Sequence, residues 1–147
     1  MLEVPSLLFE LESLMEKTDF ISIGSNDLMQ FLFAVDRTSA QVSRRYDDLS
    51  LAPLCALRSV FDAAAKHQVP VTVCGEMAGR PLEAMALIGL GCKSLSMAAS
   101  SIGPVKAMVR SLPAAQLKQE LAKWLDEPDC NVRATLAAFA EQHGVEI

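Results

Sequence analysis

The chain has 147 residues, of which 51% are hydrophobic, and a formal net charge of −5. That length and apolar content suit one folded core and exclude a disordered tail. The acidic balance excludes a nucleic-acid surface, which needs clustered Lys and Arg. No apolar run is long enough to cross a membrane as a helix.

In chain order, Pro5 occupies a favoured first helical position, and residues 6–17 follow a helical period through Leu7, Leu8, Leu11, Leu14 and Met15. Residues 20–23 are a short apolar strand. Residues 36–51 are polar and read as a solvated loop, in which Asp47 and Asp48 neutralise the one basic doublet, Arg44-Arg45. Residues 52–68 place Leu54, Leu57, Val60, Phe61 and Ala64 on one helical face. Residues 69–73 are a β-branched strand ending at Cys74-Gly75. A helix over 81–90 is stopped by Gly91, and 94–97 is a third strand. Helices follow over about 103–112, 114–125 and 131–143, separated by Pro113 and the turn Glu127-Pro128-Asp129. Strands alternating with helices, the strands short and nearly all apolar, predict a parallel α/β architecture.

The four cysteines, Cys55, Cys74, Cys92 and Cys130, form no C-x-x-C pair, and His67 and His143 complete no zinc pattern. No signal peptide precedes the first motif, so free thiols in a cytoplasmic protein are expected.

Each strand ends in small or polar residues: Gly24-Ser25-Asn26-Asp27, Cys74-Gly75-Glu76 and Ala98-Ala99-Ser100-Ser101. Parallel β/α folds bind ligands at the carboxyl ends of their strands. Met1 to Pro5 fits as a fourth such edge, the end of a strand whose start is missing. An amide and a carboxylate at the end of a buried strand are costly unless they bind something. Asn26 and Asp27 stand there, and Arg37 follows ten residues after Asp27. Such a set suits a divalent cation on the carboxylate and a phosphorylated anion on the amide and guanidinium. Other readings of the same residues stay open. Asn26-Asp27 could cap a helix beginning near Leu28, Glu3 could be a frayed terminal residue, and Arg37 an ordinary loop charge. Cys74 could be packing, Glu76 a supporting group or a cap, and Ser100-Ser101 a helix cap.

The motifs M-L-E-V-P from Met1, D-F-I-S-I-G-S-N-D-L from Asp19, A-V-D-R ending at Arg37, V-C-G-E-M-A-G-R-P around Cys74 and L-S-M from Leu95 resemble phosphoenolpyruvate-utilising enzymes. They are most similar to the phosphoenolpyruvate–protein phosphotransferases that start the bacterial phosphotransferase system. The string over residues 79–91 resembles the nitrogen-regulatory branch more than the sugar-transport branch. The resemblance is close over residues 1–112, and residues 113–147 are additional C-terminal helices.

The resemblance implies the C-terminal half of a (β/α)₈ barrel, with the site at the carboxyl face of its strands. It implies Glu3 and Asp27 as Mg²⁺ carboxylates, and Asn26 and Arg37, with Gly24 and Ser25, at the substrate phosphate. It implies that Cys74 delivers a proton to the enolate left after phosphoryl transfer. A thiol suits that task, because a pKa of about 8.5 leaves it protonated at neutral pH yet able to donate.

A whole barrel takes about 250 residues, so this chain has room for the last four units. Further phosphate-binding arginines and the phosphohistidine domain that meets the phosphocarrier protein would lie upstream. His67 and His143 carry no family motif and are not expected to accept the phosphoryl group. Two alternatives remain: a segment of phosphoenolpyruvate synthase or pyruvate phosphate dikinase, or a non-catalytic dimerisation or regulatory module. Family members pair through this region, and a cut barrel would uncover an apolar inner face, so a homodimer is expected.

Overall fold

Three short parallel strands form one sheet in the order β1-β2-β3: β1 is Ile21–Gly24, β2 is Val71–Cys74 and β3 is Ser94–Leu95. The computed structural model describes residues 1–36 and 46–147. Between and after the strands come α1 (Leu11–Met15), α2 (Ser25–Leu32), α3 (Leu51–His67), α4 (Glu76–Gly79), α5 (Pro81–Gly89), α6 (Ala99–Ser111), α7 (Ala114–Leu125) and α8 (Val132–His143). The parallel α/β class is as expected from the alternation of the sequence. The amino-terminal edge also pairs as expected. Leu2 forms a parallel bridge with Ile23, its N–H donating to Ser22 O at 2.7 Å and its carbonyl accepting from Gly24 N at 3.0 Å.

The register fixes which side chains share a face. Ile21, Ser22, Ile23 and Gly24 sit opposite Val71, Thr72, Val73 and Cys74, and Thr72 and Val73 opposite Ser94 and Leu95. Side chains alternate along a strand. One face therefore carries Ile21, Ile23 and Val73, all buried against the helices. The other carries Ser22, Thr72, Cys74 and Ser94. Thr72 Oγ1 donates to Ser94 Oγ at 3.0 Å, and Ser22 Oγ lies 3.8 Å from Cys74 Sγ. The expected apolar inner face is thus corrected. The face away from the helices is hydroxylic, because the apolar residues of these strands alternate with Ser and Thr.

Helix α3 buries Leu54, Leu57, Val60, Phe61 and Ala64, the stripe expected from its period. Helix α5 lies deepest, with Glu83 to Leu87 and Gly89 all buried, and packs against α4, α6, α7 and α8. Helices α7 and α8 contribute Leu117, Leu121, Leu125, Val132, Leu136 and Phe139 to the same core. Asn131 caps α8, its side chain accepting from Ala134 N at 3.1 Å.

Several boundaries differ from expectation. Residues 6–17 are not one helix: a 3-10 turn over Pro5–Phe9 gives way at Glu10 (φ −123°) to α1. The break lets Leu11 and Met15 bury themselves beside α3. The third strand spans two residues rather than four. Helix α6 starts at Ala99, so Ser100 and Ser101 lie inside its first turn and Ala98 is the N-cap. Pro104 lies within this helix, where it supplies no backbone N–H to the ladder; the preceding Gly103 has no Cβ to meet the proline ring.

Candidate functional site

The carboxyl ends of β1 and β2 are side by side, with Gly24 and Cys74 as register partners. Everything expected of the site in the described residues starts from that pair. After Gly24 the chain turns directly into α2, so Ser25, Asn26 and Asp27 occupy its first helical turn, with Gly24 as N-cap. A cap role for Asn26-Asp27 is therefore ruled out, and their side chains are free for other partners. Ser25, fully buried, donates its hydroxyl to Cys74 O at 2.7 Å. Asn26 accepts from Glu76 N through Oδ1 at 2.9 Å. The first residues of α2 are thus stitched to the turn after β2.

That turn depends on Gly75. Its φ of +102° is reached freely only without a Cβ. A Cβ there would also run into Ser25 Oγ and come within 2.8 Å of Asn26 Oδ1. Cys74 is half-buried, and its thiol donates to Ile23 O at 3.3 Å. Glu3 folds over the end of β1: a Cβ on Gly24 would meet its Oε1 at 2.6 Å. Gly24 therefore leaves the room that the Glu3 carboxylate occupies. Asp27 is half-buried one residue beyond Asn26. Arg37 lies outside the described residues, as do Arg44 and Arg45.

Two adjoining clefts open at this end of the sheet. One, of about 540 Å³, is lined by Asn26, Cys74, Gly75, Glu76 and Ser96, among others. The second, of about 510 Å³, includes Ser25, Asn26, Tyr46, Asp47, Asp48 and Arg133. Asn26, Glu76 and Arg80 line both. Cys74 lines the first cleft.

A group of charged residues along the second cleft was not anticipated. Arg133 donates Nε and Nη2 to the two carboxylate oxygens of Asp47 at 2.8 and 2.7 Å, and Nη2 also reaches Glu83 Oε1 at 2.9 Å. Arg80 Nη2 lies 2.5 Å from Asp48 Oδ2, and its Nη1 lies 3.6 Å from Glu83 Oε1. Asp47 and Asp48 thus pair with Arg133 and Arg80, while the Arg44-Arg45 part of the expected loop cluster lies outside the described residues. Burial opposes ionisation of Asp47. The hydrogen bonds from Arg133 and from Leu49 N outweigh it, and the carboxyl is held below its ordinary range. The Asp47 hydrogen bond in turn raises the Arg133 guanidinium. One signal in the sequence pointed here: Glu83 is the lone charge of the otherwise apolar helix α5 and must find a partner when buried.

The two histidines serve the fold. His67 Nε2 lies 2.7 Å from Glu12 Oε2, and His143 stacks on Phe139 with its Nδ1 2.9 Å from Phe139 O. All four cysteines are free thiols. No helix among the described residues is long and apolar enough to cross a membrane.

In a parallel α/β domain, polar side chains gathered at the carboxyl ends of adjacent strands stand where such folds bind ligands. The chain belongs to the family described as PEP-utilising enzyme, PEP-binding domain, which matches residues 1–114. It is 41% identical over 146 residues to the phosphoenolpyruvate-dependent phosphotransferase system protein of Salmonella typhimurium, and 40% identical over 146 residues to that of Escherichia coli K12. Each alignment covers 99% of this chain and 20% of the relative. A phosphoenolpyruvate-protein phosphotransferase of Borreliella burgdorferi is 36% identical over 126 residues, 86% of this chain and 22% of that protein. The chain spans about a fifth of the length of these relatives.

Proposed function

We propose that this chain is the phosphoenolpyruvate- and Mg²⁺-binding portion of a phosphoenolpyruvate–protein phosphotransferase. The observation that carries the reading is the pairing of Gly24 with Cys74. It brings the Ser25-Asn26-Asp27 turn, the Glu3 carboxylate and a thiol to one end of one sheet. The sheet and its amino-terminal bridge are read as the last four units of a (β/α)₈ barrel, with residues 113–147 as appended helices.

Glu3 and Asp27 are proposed to hold Mg²⁺. The fit rests on two hard carboxylates, enough for an ion that keeps several waters, and on the space over Gly24 that the Glu3 side chain fills. When bound, the cation would draw charge from the phosphate oxygens. Asn26 turns its Oδ1 to Glu76 N, which leaves its NH₂ group for a phosphate oxygen. Arg37, Gly24 and Ser25 complete this side, Ser25 by holding the turn and Arg37 as a planar fork. Transfer of the phosphoryl group breaks the ester P–O bond and leaves an enolate. Cys74 then gives its thiol proton to the methylene carbon, completing pyruvate. The phosphoryl acceptor is assigned to a histidine outside this chain, which passes the group to a phosphocarrier protein. A nitrogen-regulatory role, a homodimer, a cytoplasmic location and the absence of nucleic acid from its partners belong to the same proposal.

Titration calorimetry with phosphoenolpyruvate, with and without Mg²⁺, tests it. Weak, metal-dependent binding is expected from the isolated chain, because two carboxylates leave most of the ion's coordination to water and substrate oxygens. Tight binding without metal would overturn the assigned roles. Labelled phosphoenolpyruvate and a carrier protein should show no transfer by the isolated chain, and transfer would overturn the partial-barrel reading. Light scattering at micromolar concentration should show at least a dimer.

A further inference from the structure

Arg133 lies in α8, beyond residue 114 where the family match ends, yet it forms part of the wall of the cleft that Ser25 and Asn26 also line. Two acids from different parts of the chain engage its Nε and Nη2. Asp47 takes two of its hydrogen bonds, and Glu83, only 4% exposed, takes a third. What Arg133 does is hold.

On one side it fixes Asp47, and with it the short segment in which Tyr46 stacks on Phe33 at 4.8 Å. On the other it satisfies Glu83, a buried carboxylate that cannot be left alone. Arg80 is thereby spared that duty. It stays with Asp48 at 2.5 Å and keeps the longer 3.6 Å approach to Glu83, at the junction of the two clefts. Without Arg133, Glu83 would keep only the longer Arg80 contact, and the segment that carries Asp47 and Asp48 would lose its two-point anchor.

We infer that Arg133 is a positioning residue for the substrate cleft: it clamps Asp47 and Glu83 so that Asp48 and Arg80 keep their places opposite Asn26. The inference rests on the reading that phosphoenolpyruvate binds at Asn26, where the two clefts adjoin.

The test is steady-state phosphoryl transfer from phosphoenolpyruvate by the full-length protein, measured well below the melting temperature of each variant. Arg133→Met should raise KM for phosphoenolpyruvate about tenfold, a factor worth about 1.4 kcal/mol, with kcat within about twofold. Arg133→Lys keeps the charge but not the fork and should fall between the wild type and Arg133→Met. Asp47→Asn should raise KM in the same direction, and the double variant Arg133→Met/Asp47→Asn should be no worse than Arg133→Met alone. A KM within about twofold of wild type in Arg133→Met, with only the melting temperature lowered, would overturn the inference. Should Arg133→Met fail to fold, Arg133→Lys and Asp47→Asn decide it by the same KM criterion. Asp27→Ala keeps the two readings apart. Binding that ignores both Mg²⁺ and Asp27→Ala sinks the phosphoenolpyruvate site itself. Binding that needs both, yet ignores Arg133, sinks only the positioning role.

Discussion

The two faces of the small sheet differ in kind. Toward the helices it presents Ile21, Ile23 and Val73, each at most 5% exposed. Away from them it presents Ser22, Thr72, Cys74 and Ser94, joined by hydroxyl and thiol contacts. The same few residues of strand therefore serve two purposes by alternation alone. One face supplies hydrophobic burial, worth about 1.5–3 kcal/mol for each large side chain. The other supplies polar groups at almost no cost to the core. A stable fold and a chemically open surface can be written into one tetrapeptide.

Substitutions on the two faces should separate these purposes. The largest expected effect is on chemistry. Cys74→Ala in the full-length protein should lower turnover to pyruvate by about 10²–10⁴-fold, the usual worth of a positioned proton donor, while leaving substrate binding and melting temperature nearly unchanged. Loss of affinity equal to that of Asp27→Ala would remove the proton-donor role. Next is Ile23→Ala, on the buried face and 0% exposed. It should cost about 2–5 kcal/mol in denaturant unfolding, and a cost as small as that of an open-face change would erase the distinction. Gly75→Ala, at the joint between the faces, forces a side chain into a glycine-only backbone region and should cost roughly 1–3 kcal/mol, read by the same unfolding curves.

A smaller effect concerns acid. Asp47 titrates below its ordinary range in the folded chain, so the unfolded chain holds the proton more tightly. Its contribution is complete above the unfolded value of about 3.9 and is lost as pH falls through the lower folded value. Denaturant midpoints should therefore fall on acidification below about pH 4, and the fall should be shallower in Arg133→Met. The smallest effect is expected at Ser22→Ala, on the open face, with stability within about 0.5 kcal/mol of wild type. A larger change would mean that the hydroxylic face carries structural weight.

Local periodicity made the apolar face legible. The spacing of Leu54, Leu57, Val60 and Phe61 required a helix with one buried side, and the β-branched run ending at Val73 required a strand. The end of β1 was legible for a chemical reason, since Asn26 and Asp27 after an apolar strand demand partners. The open face was misjudged because the strands were read as apolar runs, although Ser22 and Thr72 already alternate with Ile and Val. The Arg80–Asp48 and Arg133–Asp47–Glu83 contacts are not legible in the sequence, because no local pattern joins residues 32, 50 or 86 positions apart. Only Glu83, charged within an apolar helix, hinted that a distant cation must exist. Helix α4 went unseen because four residues between two glycine-containing turns have no period to show.

The hydrogen bonds that join α2 and β1 to the turn after β2 also govern when the site can exist. Ser25 to Cys74 O, Asn26 to Glu76 N and Cys74 to Ile23 O bridge 49, 50 and 51 residues of chain. Closing a loop of that length costs roughly 3 kcal/mol in chain entropy, and no local structure offsets it in advance. The arrangement around the thiol therefore depends on the pairing of β1 with β2. A chain in which β1 and β2 have come apart no longer holds Cys74 beside Ser25 and Asn26, so the geometry of the site and the integrity of the sheet are one property.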